Sequence, residues 1–201
     1  MPHLFPLRRA SAPVDKRELR AQARAARRAL PPETRAALSA RIREHALALP
    51  ELGRARAVGC YVSVRSEVDT RDLLRALFAR GVVLAVPVTL GDQLVFARLN
   101  HPWALAPGPH DIPEPRQPWE EVRGDDLDVI IVPGLRLGRD GSRLGNGGGH
   151  FDRFLAAHPK ALRVALAFGV QLADSVATDP HDQAMDVIVS EEGRLRLGRP
   201  A

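Results

Sequence analysis

The sequence predicts an α/β layered fold around a mostly parallel sheet. Apolar runs of strand length recur at 57–64, 82–89, 127–132 and 163–168. Runs without polar alternation are what strands buried on both faces look like. Stretches with apolar residues at helical spacing fall between these runs, so strands and helices alternate along the chain. Prolines and glycines stand at the junctions, as at Pro31-Pro32, Gly81 and Gly91-Asp92, where they end one element and permit the next. A chain of 201 residues with 45% apolar content is large enough for one full core. No internal repeat is visible. Residues 14–201 are read as one domain and residues 1–13 as a frayed tail.

Asp15 can cap a first helix over 15–30, where Leu19, Ala23, Ala26 and Leu30 recur at helical spacing. Lys16, Arg20, Arg24 and Arg27 form a basic stripe beside them. Such stripes are mostly solvated, although Lys16 and Arg20, one turn apart, can also point at one phosphate chain. Pro31-Pro32 ends this helix, and a second follows over 33–49 until Pro50 stops it. The strand at 57–64 contains Cys60, the one cysteine, which reads as a small buried hydrophobe. Asp69 or Thr70 can cap a helix over 71–79, which Gly81 terminates. The strand at 82–89 turns at Gly91-Asp92 into an antiparallel partner at 94–99. A proline-rich connection spans 100–118, including Pro102, Pro109 and Pro113; loops of that length in compact domains are usually functional. After the strand at 127–132 come a helix over 151–157, a strand at 163–168 and an irregular segment over 171–183. Short strands at 187–189 and 195–197, around a Glu192-Gly193 turn, are expected to close the sheet.

The net charge is +5, and Lys16 and Lys160 are the only lysines among 29 basic residues. That balance permits anionic partners. The basic stretches carry no interleaved aromatics, which argues against single-stranded nucleic acid. No apolar run reaches membrane-spanning length, and the first dozen residues have no apolar core of a secretory signal. A cytoplasmic protein with neither membrane nor nucleic-acid partners is expected.

The densest chemical signal lies between the strand at 127–132 and the helix at 151–157. Gly145, Gly147, Gly148 and Gly149 fall there within five positions. Glycines allow positive φ and close approach of backbone N–H groups, and a glycine loop opening a helix favours bound anions. Arg143 and Arg153 flank it. The spacing matches neither the G-x-x-x-x-G-K-[ST] nor the G-x-G-x-x-G pattern, and a purely structural strand-to-helix turn is the alternative. In parallel sheets ligands sit beyond the carboxyl ends of strands. Glu67, the glycine loop and the segment 171–182 each follow a strand, so all three belong on one rim. Asp152 is either a charge complementing the helix dipole or a Mg²⁺ ligand beside phosphate. Asp182 is a second carboxylate, for which spacing alone favours an ordinary structural role. Glu67 either hydrogen-bonds a ligand or caps the helix at Thr70. His150 and His181 read as loop histidines, because no His/Cys cluster has zinc spacing. No G-x-S-x-G nucleophile elbow is present.

The run Pro133-Gly134, then Gly141-Ser142-Arg143-Leu144-Gly145-Asn146-Gly147-Gly148-Gly149-His150-Phe151-Asp152-Arg153-Phe154-Leu155, resembles the signature of the 5-formyltetrahydrofolate cyclo-ligase family. Other features of that family stand in order. They are Lys16 with Arg20, Tyr61-Val62-Ser63 before Glu67-Val68-Asp69-Thr70, Ile112-Pro113-Glu114-Pro115, Ala167-Phe168 with Gln171, and His181-Asp182 with Asp186. The resemblance implies a three-layer Rossmann-like α/β domain with helices flanking the sheet. It implies Mg²⁺- and ATP-dependent closure of 5-formyltetrahydrofolate to 5,10-methenyltetrahydrofolate, with release of ADP and phosphate. By the same resemblance Lys16, Arg20 and the run Arg143, Leu144, Gly145, Asn146, Gly147, Gly148, Gly149, His150 and Phe151 would hold ATP. Asp152 and Asp182 would hold Mg²⁺, and Arg143 with Asp152 would serve catalysis. Val62, Glu67 and Asn146 to His150 would face the folate. The partners are then small molecules, a reduced folate and ATP, and a monomer is the expected unit. Two other readings compete: another phosphate-handling enzyme on a similar scaffold, such as a kinase or a sugar-phosphate isomerase, and a basic nucleic-acid-binding module.

Overall fold

Four apolar strands lie side by side in the middle of the molecule: β1 (Ala57–Cys60), β7 (Val129–Val132), β10 (Leu162–Leu166) and β12 (Val187–Ser190). The structure, a computed structural model, describes residues 15–101, 104–108 and 112–197. The expected tail at 1–13, and Pro102 and Pro109 of the proline-rich connection, lie outside them. Side chains alternate across each strand. Val58, Cys60, Val129, Ile131, Val164, Leu166, Val187 and Val189 enter one core cluster, whereas Ala57, Ile130, Val132, Ala165 and Ile188 enter the other. Both faces are covered, which is why these strands show no polar alternation in the sequence.

The helices divide between the two faces. α2 (Pro32–Leu47), α3 (Pro50–Arg54) and α4 (Arg71–Ala79) bring Ile42, Ala46, Leu52, Leu73 and Leu77 to the first cluster. α5 (His150–Ala157) brings Phe154 and Leu155 to the second. The three-layer α/β arrangement is therefore present. Pro50 does not simply end α2, which stops at Leu47; it opens α3 at its first turn, where a fixed φ and a missing N–H cost nothing.

With β2 (Val83–Leu90), β3 (Gln93–Arg98), β6 (Glu121–Val122) and β13 (Gly193–Arg196) added, the main sheet has the order β13-β12-β10-β7-β1-β2-β3-β6. β12, β10, β7, β1 and β2 are mutually parallel. The edges are antiparallel. β3 returns from β2 through the expected turn at Gly91-Asp92, and β6 pairs beyond it. At the other edge β13 returns from β12 around Glu191-Glu192. From β1 the chain winds outward through α4 to β2, then comes back to β7 on the opposite side of β1 and winds away through β10 and β12. The C-terminal ends of β1 and β7 therefore flank a topological switch point, where α/β sheets open a crevice for ligands.

Several expectations need correction. β1 ends at Cys60, not at residue 64; Tyr61 and Val62 stay buried beyond the strand because they pack in the first core cluster, where they also border the crevice. The proline-rich connection contains a small ladder of β4 (Leu105–Pro107) and β5 (Pro113–Pro115). The stretch after β7 is not a plain loop. β8 (Arg136–Gly138) and β9 (Arg143–Leu144) form a hairpin there, and β11 (Leu172–Ala173) adds to β8 in parallel. The supposedly irregular segment from 171 therefore begins as a strand. The first helix, α1 (Lys16–Ala29), is capped as expected by Asp15, whose side chain accepts from Arg17 N.

Candidate active site

A cleft of about 760 Å³ opens at the switch point. Its walls come from α1, the turn after β1, the β2–β3 hairpin, the 112–114 strand edge, the glycine loop and the segment 179–182. Every residue that the sequence singled out for ligand contact lines it: Lys16, Arg20, Val62, Glu67, the run from Arg143 to Asp152, and Asp182. Positions 16 and 182 lie at opposite ends of the domain in sequence, and the winding of the sheet brings them together.

The glycine loop is held open from beneath. Arg143 is buried in β9, where its Nη2 donates to Asp152 Oδ1 at 2.7 Å and its Nη1 to Pro133 O at 3.3 Å. Asp152 Oδ1 also accepts from Gln183 N at 2.9 Å. One carboxylate oxygen thus joins β9, the first turn of α5 and the segment after Asp182. Gln171 fixes the preceding corner by donating to Gly134 O and Leu135 O. Above this frame Gly147 has φ +108° and Gly149 φ +66°, conformations that side chains disfavour. Gly149 is the N-cap of α5, and among the described residues no side chain caps the first-turn N–H groups there. N–H groups of that kind, at the positive end of a helix dipole, suit an anion. His150 folds over Gly148, Phe151 packs edge-to-face on Phe96, and Leu144 is buried beneath the loop. Arg153 donates to Asp92 O, tying α5 to the β2–β3 turn.

The basic stripe of α1 is not simply solvated. Lys16 Nζ meets Asp179 Oδ2 at 2.7 Å and Asp182 Oδ2 at 2.9 Å. One turn on, Arg20 Nε donates to Gly145 O at 3.1 Å, and Arg24 Nη2 donates to Asn146 Oδ1 at 3.1 Å. Arg27 Nε donates to Ser66 Oγ at 3.1 Å, and its Nη1 stands 3.9 Å from Glu67 Oε1. Helical periodicity marks such a face but does not say whether water or protein meets it. Arg24, Arg27 and Arg28 also line the cleft and were missed as site residues for that reason.

Asp179, His181 and Asp182 place one ligand-capable atom each within 4.8 Å of one another. Burial alone lowers the pKa of Lys16, but hydrogen bonds and charges from Asp179 and Asp182 outweigh it and hold the ammonium above the usual lysine range. Burial alone likewise raises Asp182, yet the Asp179 N–H and Lys16 hold its carboxyl below the usual range. Two carboxylates beside an imidazole offer ligands to a divalent cation at the place where the Lys16 ammonium bridges the two carboxylates, and Mg²⁺ commonly takes one or two carboxylates with phosphate oxygens. Asp152 lines the same cleft, and among the described residues its Oδ2 accepts no hydrogen bond. His181, read from the sequence as an ordinary loop residue, belongs to this group, and Asp179 was overlooked. Three ligand-capable residues within Asp179-Pro180-His181-Asp182 were the available signal.

At the other end of α1 the turn after β1 presents Val62 and Glu67. Glu67 Oε2 accepts from Val64 N at 3.1 Å. Glu67 does not cap α4: Asp69 Oδ1 accepts from Arg71 N, and the Thr70 hydroxyl donates to Tyr61 O. Desolvation raises the Glu67 pKa, against the Val64 N–H and the charges of Arg27 and Arg65.

Comparison with known proteins agrees with this geometry. The model of the 5-formyltetrahydrofolate cyclo-ligase family matches residues 12–191. A 5-formyltetrahydrofolate cyclo-ligase from Mycolicibacterium smegmatis is 32% identical, over 92% of this chain and 99% of its own. One from Mus musculus is 28% identical, over 88% and 94%. The solved 5,10-methenyltetrahydrofolate synthetase of Aquifex aeolicus superposes with a TM-score of 0.83 at 32% identity, covering 94% of this chain and 96% of its own. With the matching model spanning nearly the whole domain, the chain belongs to the 5-formyltetrahydrofolate cyclo-ligase family.

Proposed function

We propose that the chain converts 5-formyltetrahydrofolate to 5,10-methenyltetrahydrofolate, coupled to cleavage of ATP to ADP and phosphate. The observation that carries this reading is one cleft with two chemically different ends. Lys16 and Arg27 stand about 16 Å apart along α1 at 1.5 Å per residue. Near Lys16 are the glycine loop and the acidic cluster; near Arg27 are Tyr61, Val62 and Glu67. The first end suits a polyphosphate with its cation, the second an uncharged ring system with hydrogen-bonding edges.

The formyl oxygen on folate N5 is amide-like and leaves poorly as it stands. It attacks the γ-phosphorus, and the bond from phosphorus to the ADP oxygen breaks. The resulting phosphorylated imidate is attacked at carbon by folate N10. N10 loses its proton, the carbon–oxygen bond breaks, and phosphate departs with that oxygen and proton. Such a sequence needs positioning and charge stabilisation more than a protein nucleophile. Lys16, Arg20 and the N–H groups from Gly145 to Phe151 orient the triphosphate, while Arg143 keeps Asp152 in place. Asp152 and Asp182, with Asp179 and His181 beside them, would hold Mg²⁺, which supplies charge neutralisation on the phosphates. Val62, Glu67 and the loop from Asn146 to His150 face the folate. Among the described residues no helix is long and apolar enough to cross a membrane, and a monomer acting in the cytoplasm is the unit we propose.

The test follows near-ultraviolet absorbance of methenyltetrahydrofolate with purified protein, 5-formyltetrahydrofolate, ATP and Mg²⁺. An ATP-dependent rise that Asp152→Ala abolishes is expected. No rise from folded wild-type protein would overturn the assignment.

A further inference from the structure

Arg27 and Arg143 are the two buried cations among the described residues, and Arg143 is accounted for by Asp152. Arg27 sits on the last turns of α1 with its side chain 9% exposed, facing Glu67 at 10%. Its Nε is bonded to Ser66 Oγ, the residue next to Glu67. Glu67 in turn closes the 64–67 turn by accepting from Val64 N, which leaves Oε1 toward Arg27 at 3.9 Å. The separation is longer than a direct hydrogen bond. The guanidinium therefore grips the turn through Ser66 and acts on Glu67 by its charge.

We propose that Arg27 is a positioning residue for folate binding: it fixes the turn that carries Glu67 and sets a positive charge beside that carboxylate where it lines the cleft. This rests on the proposed function, which sets Glu67 against the folate. A reduced pterin offers ring N–H and amino donors, and an ionised carboxylate accepts from them, whereas a protonated one loses that capacity. The charged and titratable groups that face Glu67 are few. Arg27 comes from α1, Arg65 from its own turn, and Tyr61, buried with its hydroxyl on Val68 O, from the end of β1. Burial of Glu67 favours its neutral form, and the Val64 N–H, Arg27 and Arg65 oppose this. Glu67 is the charge that most offsets the burial of Arg27, while Arg24 and Arg28 act against it. Arg27 and Glu67 thus each favour the other's charged form against the burial that opposes it.

The experiment measures kcat/KM against pH for the wild type, Arg27→Gln, Arg27→Lys and Glu67→Gln, with thermal melts to verify folding. Arg27→Gln is expected to raise the KM for 5-formyltetrahydrofolate on the order of tenfold near neutral pH, the scale of one hydrogen bond to a charged group. The KM for ATP stays unchanged. The acid limb of the profile moves to higher pH, so the defect shrinks as pH rises. Arg27→Lys returns the limb toward its wild-type position. On a Glu67→Gln background Arg27→Gln leaves the limb where it is. An unmoved limb in folded Arg27→Gln overturns the proposal, as does a matching rise in the KM for ATP, which would make Arg27 an anion ligand. Absence of turnover by the wild type would overturn the proposed function itself, and the role of Glu67 with it.

Discussion

The pair of Arg143 and Asp152 gives the most direct measure of how the glycine loop is built. Their side chains are 3% and 12% exposed, and Nη2 stands 2.7 Å from Oδ1. Arg143→Leu removes the cation and strands a carboxylate that water scarcely reaches. Breaking a buried pair on one side costs about 3–5 kcal/mol. Against this, Arg143 Nε is buried without a hydrogen-bond partner among the described residues, and deleting an unsatisfied donor recovers about 1–3 kcal/mol. The midpoints of these ranges leave a net loss of about 2 kcal/mol, or a fall in Tm of roughly 4–8 °C for a domain of this size. Charge is the cause, so neutralising the partner should help. Asp152→Asn keeps an oxygen for Gln183 N and is expected to destabilise the wild type but to stabilise Arg143→Leu. Urea titrations of the four proteins measure the cycle. A loss below about 1 kcal/mol for Arg143→Leu, or the same Asp152→Asn effect on both backgrounds, would refute the reasoning.

Three further outcomes test other parts of the structure. Gly147→Ala forces a side chain to φ +108° with its Cβ 3.3 Å from Arg20 Cζ; strain of about 1–3 kcal/mol should raise the KM for ATP about 5- to 150-fold in the absorbance assay. Gly59→Ala in β1 would set a Cβ 2.6 Å from Phe96 Cε1, inside a core with no slack, and should lower stability by about 1–3 kcal/mol in urea melts without altering ATP affinity. Asp140 closes the β8–β9 hairpin by accepting from Ser142 N and Oγ; burial raises its carboxyl, but these bonds hold it below the usual range. A lowered folded value stabilises above the ordinary carboxylate pKa and is lost as pH falls through the folded one, so the urea midpoint of Asp140→Ala should lie below wild type near neutrality and converge with it in acid.

What could be read in advance followed from which faces the chain buries. β1, β7, β10 and β12 announce themselves because both faces are covered, and their sequences are apolar apart from Arg163 and Ser190. α4 and α5 show one apolar side each. The β8–β9 hairpin has two or three residues per strand, too few for any period, and is held by Arg143, Gln171 and Ser142 more than by propensity. Pro50 was legible as a boundary but not as the start of a five-residue helix. The same division holds for the cleft. Gly145 to Gly149 stand out because backbone conformation restricts residue type, and Lys16, Arg20, Val62, Glu67 and Asp182 fall on the same cleft. Asp179, His181, Arg24, Arg27 and Arg28 did not stand out. A charged residue on a helix or in a loop looks alike whether it meets water or a partner more than a hundred positions away.

That ambiguity has a physical root in how α1 is attached. Among its residues only Ala23 and Arg27 are buried, so apolar burial contributes little to its docking. What joins it to the body is a series of polar contacts, each made with a group that lines the cleft: Asp179 and Asp182, Gly145 O, Asn146, Ser66 and Glu67. Half of these acceptors are neutral, while the helix brings four cations to them. Arg20 and Arg24 meet only a carbonyl and an amide oxygen of the glycine loop among the described residues, and under the proposed function a polyphosphate beside these two would accept stronger, charge-assisted bonds. The residues that hold the first helix in place are therefore residues that line the cleft, and under the proposed function helix docking and ligand binding would draw on the same side chains. A helix selected for such a face carries arginines where an ordinary amphipathic helix would carry leucines, which is why it reads as solvated until the sheet is wound beneath it.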